Sequence, residues 1–339
     1  MTEDGPLLTV VLTSYNYAHY VADALDALVP QLRPEVRLLV IDDGSTDNSL
    51  DLLLPYVEGN DCITVVRNEV NKGIHAVLNQ GLALVHSPWI LYSAMDDKVY
   101  PELTARMLPL LSRYPHVGLC TAPADYLSAE GTRLSAWMGP ILRDDAYYPP
   151  EAVAQLMHKH GFWFAGMTTV LSVKALREAG GFQKSLGHMA DSFVSQELAL
   201  RYGMCTIAAP MAGVRQLPDS YSQRDAEDLR AAETICSLAL ERMRSRHALF
   251  PESFRRDWAA FNRSWSCLRT WKHGPHQSWR RWRDAALAAE GGLFSKGMLR
   301  LTICGQWAQM SFLGLFALAK LWNNALFWTR LRKRLRSVT

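Results

Sequence analysis

The first hundred residues alternate between short apolar runs and segments with helical spacing, and this alternation limits the folds open to the chain. The apolar runs begin at Leu7, Val36, Cys62 and Trp89, and they are rich in β-branched and aromatic residues. Between them lie stretches such as 18–32, in which apolar residues recur every three or four positions. Continuous apolar strands separated by helices predict an α/β fold, with a mostly parallel sheet covered by helices on both faces.

Polar and acidic side chains follow three of these four predicted strands. They are residues 13–15 (Thr-Ser-Tyr), Asp42 with Asp43, and Asp96 with Asp97. Ligands of open α/β sheets bind outside the carboxyl ends of the strands, so these groups are expected to lie around one site. The stretch 42–45 (Asp-Asp-Gly-Ser) is also typical of a turn followed by a helix cap. Further along, residues 117–127 are predicted to form another single strand.

Two adjacent aspartates at the end of a buried strand repel each other and are costly to desolvate. A divalent cation would remove that cost, because Mg²⁺ and Mn²⁺ prefer carboxylate and diphosphate oxygens as ligands. The glycine-rich motifs of two other classes of phosphate-binding protein are missing from this sequence. No G-x-G-x-x-G follows the first strand, and no G-x-x-x-x-G-K-[ST] occurs. The sequence therefore disfavours a Rossmann dehydrogenase and a P-loop NTPase.

Four motifs in order and spacing resemble the family 2 glycosyltransferases with a GT-A fold. They are VVLTSYNYAHYVADALDALVPQ, LLVIDDGSTDNS, NKGIHAVLNQGLA and WILYSAMDDKVYPEL. The resemblance covers roughly residues 7–220 and implies a nucleotide-sugar donor with Mn²⁺ or Mg²⁺ as cofactor. Implied donor and cofactor contacts are Thr13 and Tyr15 beside the nucleobase, Asp43 as its hydrogen-bond acceptor, Asn79, and Asp96 near the ribose or metal waters.

The same resemblance implies that Asp97 is the direct metal ligand, supported by Asp96. The family's Gly-Gly-Phe motif matches residues 180–182, and the acidic residue that follows it is Asp191. Asp191 is therefore the candidate general base of an inverting reaction, with a helix-capping role as the alternative. For Arg215 the sequence leaves two interpretations open, a diphosphate contact or a solvated charge.

The chain departs from the family pattern at three points. Ala94 stands where an acidic residue often precedes the aspartate pair, and Leu78 stands where an arginine often precedes the asparagine. No Q-x-x-R-W follows Asp191, so the signature of processive synthases is missing. This last departure favours transfer of single sugars over polymerisation.

The C-terminal part of the chain differs in composition from the rest. Residues 251–339 hold 16 Lys and Arg against 4 Asp and Glu, and 8 of the 11 tryptophans. We expect a catalytic domain over 1–222 and a helical, amphipathic region over 223–339. That region fits in-plane attachment to an anionic membrane surface. A true span over the 19 uncharged residues between Arg300 and Lys320, a bundle packed on the catalytic domain, and dimerisation are the alternatives.

The cysteines and the basic charge indicate the cellular compartment and the kind of partner. The six cysteines are scattered without C-x-x-C spacing, which favours a reducing compartment, and no nucleic-acid-binding motif accompanies the basic charge. We therefore expect a cytoplasmic, peripherally attached transferase that moves a sugar, preferably from UDP, to a membrane-associated glycan or lipid-linked acceptor. A non-catalytic nucleotide-sugar-binding scaffold and, less favoured, a nucleotidyltransferase remain open.

Overall fold

The computed structural model describes residues 5–136, 144–160, 164–217, 229–259 and 262. The strands in these ranges are β1 (Leu8–Ser14), β2 (Val36–Asp42), β3 (Ile63–Arg67), β4 (Trp89–Ala94), β5 (Lys98–Val99), β6 (Leu119–Thr121), β7 (Ala124–Leu127), β8 (Arg133–Ala136), β9 (Ala146–Tyr148), β10 (Thr169–Ser172), β11 (Met204–Thr206) and β12 (Ala212–Arg215).

The α-helices in the same ranges are α1 (Val21–Leu28), α2 (Ser49–Val57), α3 (Ile74–Leu84), α4 (Leu103–Arg113), α5 (Pro150–His160), α6 (Val173–Glu178), α7 (Ala190–Tyr202) and α8 (Leu229–Ser245). Residues 252–259 are also helical. Short 3₁₀ turns occupy Ala18–Tyr20, Val29–Gln31, Gly166–Thr168 and Lys184–Met189.

The strands form two sheets. The larger one has the order β3-β2-β1-β4-β10-β6-β11-β9, and the smaller one has the order β5-β12-β7-β8. Strands β3, β2, β1 and β4 run parallel, whereas β10 is antiparallel to both of its neighbours. The predicted α/β fold with a mostly parallel sheet is thus confirmed.

Helices cover both faces of the larger sheet. Alternate residues of β1 show the division, since Val10 and Leu12 belong to one buried cluster and Val11 belongs to the other. The first cluster is completed by α1, α2 and α4, and the second by α3, α5, α6, α7 and α8. Because both faces are buried, the central strands carry continuous apolar runs, and those runs are the pattern visible in the sequence.

The prediction of one strand over residues 117–127 is wrong. The chain forms β6 and then β7, which lie in different sheets. The break falls at Ala122 and Pro123, and proline has no N–H with which to continue a strand ladder. The chain therefore crosses at this point from the larger sheet to the smaller one.

The described C-terminal helices share a core with the α/β sheet. Met243, Phe250 and Trp258 are at most 1% exposed and belong to the same buried cluster as Phe193 of α7. The boundary expected at residue 222 thus separates segments that pack together over 229–259. The basic, Trp-rich stretch from 263 onward lies outside the described residues, as do the membrane and dimer contacts expected of it. None of the described helices is long and apolar enough to cross a membrane.

Candidate active site

Backbone hydrogen bonds tie together the carboxyl ends of the central strands. The N–H of Asp43 donates to the carbonyl of Ser14 at 2.8 Å, and the N–H of Met95 donates to that of Thr13 at 2.9 Å. In the ladder Ser14 pairs with Asp42, and Thr13 pairs with Ala94. The three polar strand ends expected from the sequence therefore meet at one edge of the sheet.

Asp96 and Asp97 occupy the tight turn between β4 and β5. The N–H of Asp97 donates to the carbonyl of Ala94 at 3.0 Å, and the two aspartates are only 8% and 7% exposed. Burial raises the pKa of Asp96. Burial and the neighbouring charge of Asp96 together raise the pKa of Asp97 well above its usual value. The turn thus holds two carboxyl groups whose joint ionisation is unfavourable.

Two residues that the sequence did not assign to this turn support it. The phenol of Tyr17 favours the ionised form of Asp96, and burial together with the charge of Asp96 raises the pKa of that phenol. The backbone N–H and the guanidinium charge of Arg215 favour the ionised form of Asp97. Tyr17 lies in the quoted motif that follows β1, yet nothing in its spacing indicates a partner 79 positions away.

Arg215 is buried, so the interpretation as a solvated charge is wrong. It is 4% exposed, and its guanidinium donates to the carbonyls of Asp96 at 2.5 Å and Ala129 at 3.2 Å. It also forms an ion pair with Asp23 and lies over the ring of Tyr20, 4.5 Å from its centroid. One of its donors therefore holds the backbone of the acidic turn, and the others bind Ala129 and Asp23.

The aspartate pair suits a divalent cation. Neither carboxylate forms an ion pair within the described part of the chain, so their charge is left for another cation to neutralise. Mg²⁺ takes one or two protein carboxylates together with phosphate oxygens, which matches two adjacent aspartates. Among the described residues no group of three or more His, Cys, Asp or Glu side chains could hold a metal.

Asp42 and Asp43 have different hydrogen-bond partners. Asp42 Oδ1 accepts the N–H of Ser45 at 2.9 Å, which is the turn role foreseen for this stretch. Asp43 accepts the amide of Asn68 at 2.8 Å and the backbone N–H groups of Lys72 and Gly73 at 2.9–3.1 Å. Asp43 thereby fixes the loop that leads into α3.

Thr13 and Tyr15 lie at the end of β1 in contrasting surroundings. Thr13 is 7% exposed, and its hydroxyl lies 3.5 Å from the carbonyl of Ser93 on the neighbouring strand. Tyr15 is 42% exposed. The ring is accessible at the rim of the edge where Asp43 and Asp97 lie.

Asn79 uses both ends of its amide on the Gly-Gly-Phe turn. Its Nδ2 donates to the carbonyl of Phe182 at 2.8 Å, and its Oδ1 accepts the N–H of Phe182 at 2.9 Å. Gly181 has a φ of +67°, and a Cβ there would lie 2.5 Å from Asn79 Oδ1. The side chain therefore anchors the segment that leads to Asp191.

Asp191 lies in the first turn of α7. Its Oδ1 accepts the N–H of Ser192 at 2.7 Å, and its Oδ2 would lie 3.0 Å from a Cβ placed on Gly166. The turn containing Gly166 packs on β4, the strand that leads to the aspartate pair. Burial raises the pKa of Asp191, and the hydrogen bond from the N–H of Ser192, followed by the charge of His75, partly opposes that shift.

Comparison with known proteins gives this architecture a family. Residues 9–172 match the family model described as Glycosyl transferase family 2. The chain carries a family 2 glycosyltransferase domain. All the predicted site residues except Asp191 fall within the matched range of this glycosyltransferase domain.

Curated relatives match parts of the chain. TuaG of Bacillus subtilis (strain 168), provisionally assigned as a teichuronic acid biosynthesis glycosyltransferase, is 32% identical over 98 residues, or 29% of this chain and 39% of TuaG. EpsH of the same organism, a provisionally assigned glycosyltransferase, is 25% identical over 195 residues, or 57% of this chain and 55% of EpsH. The chain spans about half or less of the length of these two relatives.

Solved structures share the fold of the glycosyltransferase domain. Staphylococcus aureus TarS 1-349 in complex with UDP-GlcNAc superposes with a TM-score of 0.61 at 15% identity, covering 91% of this chain and 88% of that one. The mannosyltransferase PcManGT from Pyrobaculum calidifontis, in complex with GDP-Man and Mn²⁺, gives 0.55 at 17% identity, covering 94% and 88%. At these identities the likeness establishes the GT-A fold.

Proposed function

We propose that this chain is an inverting, metal-dependent glycosyltransferase that moves one sugar from a nucleotide diphosphate donor to an acceptor hydroxyl. The observation that carries the proposal is the buried pair Asp96 and Asp97 at the sheet edge where Asp43 and Tyr15 also lie. Ligands of such sheets bind at this edge. An acidic pair whose carboxylates form no ion pair among the described residues suits a metal and a diphosphate.

Asp97 would hold the Mn²⁺ or Mg²⁺ ion, with Asp96 as the supporting carboxylate. When bound, such an ion stabilises negative charge on the departing diphosphate. Arg215 holds the turn through its hydrogen bond to the Asp96 carbonyl, and Tyr17 and Arg215 favour the ionised carboxylates. The protein's own contribution to this half of the reaction is therefore a fixed, desolvated carboxylate pair.

Asp191 is the proposed general base. Its raised pKa makes it a better proton acceptor than an ordinary aspartate, and that suits a base that works near neutral pH. Its carboxylate takes the proton of the acceptor hydroxyl while the hydroxyl oxygen bonds to the anomeric carbon. The bond from that carbon to the diphosphate oxygen breaks in the same step, and one in-line displacement inverts the configuration.

The donor is proposed to be a UDP-sugar. Thr13, Tyr15 and Asp43 are the residues proposed to receive the base, with Asn79 supporting the donor side through the Phe182 turn. The TarS structure named above contains UDP-GlcNAc and PcManGT contains GDP-Man, so related folds accept both bases. The missing Q-x-x-R-W motif supports transfer of one sugar per acceptor.

The acceptor is proposed to be a glycan or lipid-linked molecule at the cytoplasmic face of a membrane. The support is compositional, since residues 251–339 combine basic and tryptophan side chains. The same region is the proposed site of membrane contact or of homodimer formation.

Release of nucleotide diphosphate from a panel of nucleotide sugars, with and without Mn²⁺, tests the proposal. We expect one donor to be turned over, Asp97→Asn to abolish the metal-stimulated rate, and the exposed variant Asp61→Asn to match the wild type. Thermal stabilisation by a donor without any release would instead identify a nucleotide-sugar-binding scaffold. Pyrophosphate release from a nucleoside triphosphate and a sugar phosphate would identify a nucleotidyltransferase.

A further inference from the structure

Two polar contacts join the C-terminal helical segment to the middle of α7. The indole Nε1 of Trp258 donates to Oε1 of Gln196 at 2.8 Å. At the next residue of α7, the carboxylate of Glu197 forms an ion pair with the guanidinium of Arg246. Gln196 and Glu197 are each 2% exposed, and Trp258 is 1% exposed.

These contacts are needed because α7 is buried on every side. All its residues from Phe193 to Leu200 are buried, including the polar Ser195, Gln196 and Glu197. A buried polar side chain without a partner costs about 1–3 kcal/mol, so each must find one. Ser195 bonds to the carbonyl of Asp191 within the helix, and Gln196 takes its partner from Trp258. Glu197 pairs with Arg246 and, at the longer distance of 3.7 Å, with Arg201 of its own helix.

Apolar packing reinforces the same junction. The ring of Phe250 stacks on that of Phe193 with centroids 6.0 Å apart. Helix α8 packs on the turn Lys184–Met189, which leads directly into α7. In that turn Gly187 has a φ of +47°, and its carbonyl lies 3.0 Å from Nε2 of His75. The C-terminal segment therefore contacts the middle of α7 and also the turn before it.

Helix α7 also carries Asp191. Gln196 is five residues beyond Asp191, which is about 7.5 Å along a helix axis. A helix of that length moves as a rigid unit, so a shift at Gln196 displaces the carboxylate at its start. Misplacing a catalytic group by about 1 Å can cost roughly 100-fold in rate.

We propose that Trp258 and Arg246 are positioning residues that act on the reaction through Asp191. The inference rests on the proposed function, in which Asp191 is the base. The C-terminal segment is then part of the catalytic apparatus, because it sets where the base meets the acceptor hydroxyl. It leaves the donor site alone, since Asp43 and Asp97 have no contact with it among the described residues.

Kinetics of Trp258→Phe in the full chain test the proposal, because phenylalanine keeps an apolar ring and removes the indole N–H. We expect kcat to fall about 10- to 100-fold while the KM for the donor stays unchanged. In an Asp191→Asn background the same change should leave the residual rate unaltered, because residues that act as a unit are non-additive. Arg256→Ala is the matched control, since its side chain on the same helical segment is 51% exposed.

A second pair of variants tests the ionic contact. Arg246→Lys keeps a cation beside Glu197 and should retain most of kcat, whereas Arg246→Met should lose it. Hydrogen exchange gives a readout independent of turnover. Trp258→Phe should speed exchange of the amides at the start of α7, and Arg256→Ala should not.

Equal fold-losses of rate from Trp258→Phe in the wild-type and Asp191→Asn backgrounds would overturn the proposal. So would a lowered Tm with unchanged kcat, which is the result of a purely structural contact. If the wild-type chain turns over no donor, the proposed function fails. Exchange at α7 then still decides whether Trp258 holds the helix.

Discussion

Arg215 donates a hydrogen bond from its guanidinium to the backbone carbonyl of Asp96, with nitrogen and oxygen 2.5 Å apart. The two residues are 119 positions apart and lie on β12 and on the turn between β4 and β5. The guanidinium is also paired with Asp23, and Arg215 favours the ionised form of Asp97. A strand of the smaller sheet thus fixes the acidic turn at the edge of the larger one.

Replacing Arg215 with methionine should therefore damage both stability and the site. We expect the free energy of unfolding in urea to fall by about 2–3 kcal/mol, because Asp23 and the Asp96 carbonyl lose a charged donor. The Mn²⁺ concentration needed for half-maximal activity should also rise. Arg215→Lys should recover only part of either effect, since an ammonium cannot reproduce the planar fork.

Arg106→Met is the control for this variant. Arg106 pairs with Asp145 at 2.8 Å, but both side chains are about one-third exposed. Surface pairs contribute about 0–1 kcal/mol, so its unfolding free energy and metal response should stay near those of the wild type. An equal loss in both variants would mean that Arg215 has no special role at the acidic turn.

Gly181→Ala should destabilise the protein more than Gly59→Ala. Both glycines have positive φ, +67° and +73°, which costs a non-glycine residue about 1–2 kcal/mol. Only at Gly181 would the new Cβ meet another atom, Asn79 Oδ1 at 2.5 Å, whereas nothing lies within 4 Å at Gly59. The difference between the two Tm values measures the clash with Asn79. Equal losses would contradict the close approach.

The sequence predicted the part of the site that depends on strand ends. Adjacent parallel strands place their carboxyl ends at one edge, so the positions of Thr13, Asp43 and Asp97 follow from where the apolar runs stop. The Asp42 turn also follows, because its hydrogen bond to Ser45 spans three residues. These features depend on local pattern and on one rule of sheet topology.

The parts that the sequence left out depend on contacts between distant segments. Asn79 meets Phe182 across 103 positions, and Trp258 meets Gln196 across 62. No periodicity records such pairs, because each half alone is an ordinary polar or aromatic residue. Arg215 illustrates the same limit, since a buried and a solvated arginine look identical in sequence. The proline at position 123 is visible in the sequence, but the sequence does not show that the chain passes from one sheet to the other there.

The pH dependence of kcat should report Asp191. Burial raises its pKa above the usual 3.8, and a base works only when deprotonated. Lowering the pH through that raised pKa protonates Asp191, so the acidic limb of kcat should lie above the ordinary aspartate range. Asp191→Asn should remove the limb and lower kcat by about 10²–10⁴-fold.

His75→Gln gives an independent check of the direction in which the acidic limb of kcat moves. The charge of His75 lowers the pKa of Asp191, so removing it should move the acidic limb to higher pH. An unchanged limb in this variant, or a limb that survives in Asp191→Asn, would assign the ionisation to another group.

Phe250→Ala tests whether the C-terminal helices stabilise the catalytic domain. Phe250 is 0% exposed and packs between Phe193 and Phe254, so its truncation should cost about 3–5 kcal/mol. The surface variant Leu134→Ala, at 59% exposure, should stay within about 0.5 kcal/mol of the wild type. Because Phe193 belongs to α7, the melting of the glycosyltransferase domain should shift together with that of the C-terminal segment. Two separate transitions, with the domain transition unmoved by Phe250→Ala, would show that residues 229–259 fold as an independent appendage.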